Sequence, residues 1–145
     1  MKPNIIDVIN SLFNQSIEYH FRGQVELSKI ESAAKTMGVE FAEEFVHYTQ
    51  TFGVVNIYNH DDIDIFGVDD DPNYSVLNRT QDFRDAYPDF PMDCYAIESF
   101  GLENFVMVQK SDGKIYKYIP KEGLAYFANS LAEYLNFRVE NLMIN

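Results

Sequence analysis

The hydrophobic period of this 145-residue chain changes at Gly53, and no other feature of the sequence limits the possible folds as strongly. Before Gly53 the apolar residues recur at helical spacing. Ile5, Val8, Ile9, Leu12 and Phe13 define a first helix, with Asn4 placed to cap it and Asp7 favourable in its first turn. In "SKIE", Ser28 and Glu31 have capping-box spacing, which predicts a second helix starting at Ser28. Leu27, Ile30, Ala34 and Met37 supply its stripe, and Gly38 its left-handed stop. Phe41, Phe45, Tyr48 and Phe52 mark a third helix, closed by Gly53.

Beyond Gly53 the pattern alternates. "VVNIY" and "DIDIFGV" predict strands at 54–58 and 63–67, and "NYSVLNRTQDFRDAY" returns to helical spacing until Pro88 ends it. "CYAIESF" predicts a strand at 94–99. Strands at 105–109 and 115–119 flank the Ser111-Asp112-Gly113 turn of a hairpin. Leu124, Phe127, Leu131 and Leu135 then fit the stripe of a last amphipathic helix, and "FRVENLMIN" fits either its extension or a packed arm. Helices, strands around one inserted helix, a hairpin and a final helix predict an α+β fold. It is expected to be a single domain over 1–145, with a mainly antiparallel sheet packed by the N-terminal and C-terminal helices. Ile30, Phe45, Phe52, Ile65, Ile97, Val106, Tyr116, Phe127 and Leu131 are the expected core.

The formal net charge of -12 excludes more functions than it suggests. Binding to nucleic acid or to an anionic membrane needs clustered Lys and Arg, so the charge argues against both. Residues 1–53 carry 7 acids and 4 bases, residues 54–100 carry 11 and 2, and residues 101–145 carry 5 of each. Three-quarters of the excess, net -9, therefore lies in the middle third. Cys94 is the only cysteine, which rules out an intrachain disulfide and a Cys-based zinc site. Asp7 and Asn10 interrupt the apolar N-terminal stretch of a signal peptide, and no apolar run approaches the ~20 residues that cross a bilayer, so a cytoplasmic protein is expected.

The chemistry-bearing residues concentrate in "HDDIDIFGVDDDPNY". His60, Asp61, Asp62, Asp64, Asp69, Asp70 and Asp71 could all ligate a metal, but their spacing is wrong for the usual sites. His60-Asp61-Asp62 are consecutive, and Asp69-Asp70-Asp71-Pro72 lacks the Asp-x-Asp-x-Asp-Gly rhythm of a calcium loop. No metal and no cofactor is expected. His20 and His47 are isolated, Cys94 follows Asp93, which opposes a thiolate, and Glu43-Glu44 fits an exposed helical face. With no phosphate loop, nucleophile elbow or cofactor fingerprint, no catalytic residue is assigned and a non-enzyme is expected. The alternative chemistry is a metal-dependent hydrolase using His60 and the nearby aspartates.

"SKIESAAKTMGVEFAEEFVHYTQTFG" resembles the opening of the SUKH superfamily: a Ser-initiated helix, a Gly turn, an aromatic-rich helix, then Gly and a strand. Where members usually have Leu-Pro at the turn, this chain has Glu40-Phe41. "IDIFGV", "VLNRTQDFRDAYPDF" and "CYAIESFGLENFVMV" are similar to the elements that follow, the helix particularly in YobK-like antitoxins. Leu102-Glu103-Asn104 stands where a Gly-Asp is usual. "YFANSLAEYL" is similar to the terminal helix, and the likeness is clearest over 24–136. The resemblance implies a bacterial immunity protein that binds and neutralises a toxin, often a nuclease, or else a regulatory scaffold related to cell-wall assembly. It carries over no catalytic residues.

A nuclease is cationic where it holds phosphate. The acids Asp61, Asp62, Asp64, Asp69, Asp70 and Asp71 therefore form a candidate docking rim, with Tyr58, Phe66 and Tyr74 as candidate aromatic anchors. The same acids would also serve solubility alone, and Phe66 and Tyr58 are equally candidates for the core.

Overall fold

The computed structural model describes residues 4–15, 18–58 and 62–141, with the backbone alone at Asn141. The first helix, α1 (Ile5–Phe13), is capped by Asn4, whose side chain accepts from the amides of Ile6 (2.8 Å) and Asp7 (3.3 Å). Ile5, Ile9 and Leu12 form its buried stripe. A short strand, β1 (Glu18–Phe21), follows; its polar–aromatic alternation covers only four residues, too few to mark a strand in the sequence, and Tyr19 and Phe21 pack on Phe13 and Phe52.

Helix α2 (Leu27–Met37) starts before Ser28, so the expected capping box does not form. Glu26 is the N-cap residue, and its carbonyl accepts from Lys29 and Ile30. The start is set from outside the helix. Gly23 and Val25 donate to Phe52 and Gln50, satisfying carbonyls left open at the end of α3 (Glu43–Phe52). That leaves Leu27 exposed, and Ile30 and Met37 carry the buried face. Gly38 ends α2 at φ 70°, in the left-handed region expected of it.

Strands β2 (Val55–Tyr58) and β3 (Asp62–Ile65) come next, then α4 (Val76–Ala86), capped by the Ser75 hydroxyl accepting from the Asn78 amide. Strands β4 (Cys94–Ser99), β5 (Val106–Lys110) and β6 (Ile115–Ile119) lie within a residue of expectation. The last helix does not. Leu124 and Phe127 belong to a seventh strand, β7 (Gly123–Ala128), and α5 (Leu131–Asn141) begins only at Leu131. Residues three and four apart fit a helical stripe, but a turn at Pro120-Lys121, with Lys121 at φ 72° and the Glu122 amide on the Ile119 carbonyl, folds the chain back along β6. The sequence does signal the true start: Ser130 accepts from the Glu133 amide, a Ser-x-x-Glu pair.

The strands form two antiparallel sheets rather than the single one expected, in the orders β1-β2-β3 and β4-β5-β6-β7. One hydrophobic cluster nevertheless draws on all five helices and on every strand but β1. Of the expected core, Tyr116 and Phe127 are only half-buried, because they lie toward the outer hairpin of the second sheet. The other seven residues are buried.

Two glycines allow the closest backbone approach in the fold. A Cβ on Gly67 would sit 1.8 Å from the Gly53 carbonyl oxygen, and one on Gly53 (φ 73°) would sit 2.4 Å from that of Gly23. Thr49 secures the crossing by donating to Gly53 O and accepting from the Val68 amide, each at 2.9 Å.

Candidate functional site

Residues paired across an antiparallel ladder share a face. The registers Glu18–Tyr58–Asp62 and His20–Asn56–Asp64 therefore build two polar rows on the outer face of the first sheet. Val55, Ile57, Ile63 and Ile65 point the other way, into the core. The first row is exposed, with Tyr58 39% accessible. In the second row Asn56 is buried and donates to the Asp64 carboxylate at 2.7 Å, which fixes Asp64 half-buried.

The environment of the Tyr58 phenol shows what stands around it. Partial burial raises it first, then Asp64, Tyr74, Asp62 and Glu18. Tyr74, 16 positions further on in sequence, thus lies within electrostatic range of Tyr58. Glu18 joins them from β1, a contribution visible only once β1 is paired. The Arg22 guanidinium lies 5.6 Å from the Tyr74 ring centroid, and its Nε donates to Asp69 at 3.2 Å.

The aspartates expected to act alike do different things. Asp69 is largely enclosed, taking Arg22 on one oxygen and the Asp71 amide on the other. Asp70 is 90% exposed and meets Lys29 Nζ at 2.9 Å. Asp71 accepts from the Asn73 amide, closing the turn that presents Tyr74. His60 and Asp61 lie outside the described residues. Phe66 is 5% exposed and belongs to the core.

A buried network props this face from behind. The β4–β5 register slips between Ala96 and Glu98, so that Glu98 rather than Ile97 stands opposite Met107. The bulge turns Glu98 onto the side where α5 packs and frees the Ile97 carbonyl to accept from the Phe66 amide (2.9 Å). Arg138 grips Glu98 with Nε (2.9 Å) and a terminal nitrogen (2.8 Å), and Tyr134 donates to the same carboxylate (2.5 Å). Along the outer edge of β3 the Asp64 amide donates to Glu98 and the Asp62 carbonyl accepts from Arg138, both at 3.3 Å. The pair thus takes the place of a neighbouring strand and ties the two sheets to α5. Burial pushes the Glu98 carboxyl up; Arg138, Tyr134 and the Asp64 amide oppose that shift.

Glu44 is a second residue whose role the sequence hides. It is not one of an exposed helical pair: its carboxylate accepts from Leu131 (2.7 Å) and Ala132 (3.0 Å), capping α5 from α3. Gln109 donates to Glu44 and to Gly113 O, and accepts from Tyr95, which in turn accepts from the Ala42 amide.

Among the described residues no three His, Cys, Asp or Glu side chains are grouped to hold a metal, and no helix is long and apolar enough to cross a membrane. His20 and His47 are exposed, His47 lying 3.9 Å from Glu43. Burial, and secondarily Asp93, pushes the Cys94 thiol up to about 12, far from a nucleophilic thiolate.

Among the described residues, five helices on two linked antiparallel sheets, in this order, make an α+β domain of the SMI1/KNR4 type. The family model SUKH_5, described as SMI1-KNR4 cell-wall, matches residues 4–140, and the chain belongs to that family. No curated protein matches it significantly.

Proposed function

We propose that this is a non-catalytic, cytoplasmic immunity protein that binds and neutralises a cationic protein toxin of the nuclease kind. Its binding surface is the outer face of the first sheet. The observation that carries this reading is the exposed row Glu18–Tyr58–Asp62, with Tyr74 within electrostatic range of it, in a chain whose middle third is net -9. A phosphate-binding surface is cationic, so carboxylates displayed around two tyrosines complement it: the acids steer the encounter and the rings supply buried contact. Family membership supports an immunity role, and Asp70 and Asp71 extend the acidic border. Asp64 and Asp69 hold the face in shape.

The test is association kinetics with a cationic nuclease-toxin domain, sought among the products of neighbouring genes, across a salt series. Glu18→Gln with Asp62→Asn removes two charges at nearly constant volume. It should slow association and flatten its salt dependence, because exposed charges act over a Debye length of ~8 Å at physiological salt. Tyr58→Ala and Tyr74→Ala should instead raise the dissociation rate. Unchanged rates in all three variants would refute this face as the interface. The family's cell-wall description favours a second reading, a regulatory scaffold, for which the toxin domain would not bind and cell-wall assembly factors would co-purify instead.

A further inference from the structure

The two sheets end in two very different edges. At one end is β1, with four residues, Glu18 on the strand and Asp62 in the same row. Charge on a short edge strand is the usual protection against pairing with another chain. At the other end is β7, Gly-Leu-Ala-Tyr-Phe-Ala, with six residues, no charge and no proline. It is the last strand of its sheet, and among the described residues its outer side takes no backbone hydrogen bond. Ala125 and Tyr126 are exposed, and the Tyr126 ring, 56% accessible, packs edge-on against Tyr116 at 6.1 Å. Lys110 Nζ lies 5.0 Å from the Tyr116 centroid and 3.5 Å from Asp93. An aromatic pair backed by Lys110 therefore reaches the open edge.

We propose that β7 is a self-association edge, pairing antiparallel with β7 of a second copy around a twofold axis to make a continuous eight-stranded sheet. Charge selects the occupant. Two molecules at -12 repel one another over most of their surfaces. The β5–β6–β7 region is different: Lys110 pairs with Asp93, and residues 101–145 carry five acids and five bases, so this end meets a second copy with less repulsion than the acidic middle third. A neutral strand is self-complementary, and a twofold pair closes on itself, using up both edges without a further surface. The toxin-facing surface proposed above lies on the other sheet, so neither proposal depends on the other.

Sedimentation equilibrium of the purified chain, over protein concentration and salt, is the test. The expected mass rises from 16.8 kDa toward twice that value with concentration. Dimerisation should strengthen as salt rises from about 0.05 to 0.5 M, because screening relieves the mutual repulsion; toxin association should weaken over the same range. Ala125→Glu places a carboxylate opposite Lys117 on β6, which the monomer tolerates, but sets a charge on the edge. It should keep the far-ultraviolet circular dichroism of wild type and stay at 16.8 kDa. Tyr126→Ser, which removes the ring and leaves the strand backbone, should weaken the dimer at least tenfold. Amide exchange in β7 of wild type should slow as concentration rises. A wild type monomeric at every salt and concentration, or an Ala125→Glu variant that dimerises as wild type does, would overturn the proposal. So would loss of toxin binding in that variant with both proteins monomeric, since the edge would then belong to the toxin.

Discussion

Arg138→Met removes one half of a charge pair in which both side chains are almost fully enclosed, at 2% and 4% side-chain exposure. It leaves the Glu98 carboxylate buried with only the Tyr134 hydroxyl and the Asp64 amide as partners, and stranding one member of such a pair costs about 3–5 kcal/mol. At a typical urea slope of about 2 kcal/mol/M, a loss of about 4 kcal/mol moves the unfolding midpoint by about 2 M. The double variant Glu98→Met/Arg138→Met is more telling. Replacing a buried pair by apolar residues is often neutral, or stabilising by about 1–4 kcal/mol. Here it also strips partners from the Asp64 amide, the Asp62 carbonyl and the Tyr134 hydroxyl, each worth about 1–3 kcal/mol when left unsatisfied. The two backbone contacts are long at 3.3 Å and fall at the low end; the tyrosine contact, at 2.5 Å, falls at the high end. The double variant should therefore remain about 2 kcal/mol less stable than wild type, and adding Tyr134→Phe should return about 2 kcal/mol. Equilibrium urea unfolding with an unchanged slope measures both. A double variant as stable as wild type would refute the idea that the pair stands in for a strand beside β3.

Gly67→Ala should abolish folding or reduce stability beyond the range of single core substitutions, since its Cβ would lie 1.8 Å from a backbone oxygen that has nowhere to move; expression and circular dichroism check this. Glu44→Ala should cost about 1–2 kcal/mol in urea unfolding through loss of the α5 cap, with Glu44→Gln closer to wild type. Burial holds the phenols of Tyr48, Tyr95 and Tyr134 above the ordinary 10.0 and the Cys94 thiol near about 12, so the unfolded chain gives up these protons first. Stability should be complete below about pH 9 and fall as pH rises, by at most ~1.4 kcal/mol per pH unit per group, in thermal unfolding across an alkaline series. Thiol alkylation at pH 8 should follow the same logic, with Cys94 modified only as fast as the protein opens.

Hydrophobic period is a local property, and the elements that bury one face of a periodic segment were legible without any structure. Asn4 at the start of α1, Gly38 and Gly53 at the ends of α2 and α3, and the alternation of β2 to β6 all follow from neighbours in the chain. The acidic run that holds Tyr58, Asp62 and Asp64 was equally visible, and the β2–β3 pairing sets these three together on one face. Tertiary structure decided what local pattern leaves open. β1 alternates over only four residues and encloses none of them fully, too short a signal to announce it, yet its pairing brings Glu18 to the row. Leu124 and Phe127 fit either period, and only the turn at Pro120-Lys121 makes them a strand. Asp69, Asp70 and Asp71 look identical in sequence and are separated by Arg22 and Lys29, more than 40 positions away. Glu98 would face the other side of its sheet but for one bulged residue, and Glu44 meets the helix it caps 87 positions later. A carboxylate carries no periodic signal: its role depends on which cation or amide the folded chain brings within 3 Å, and those partners come from segments far apart in sequence.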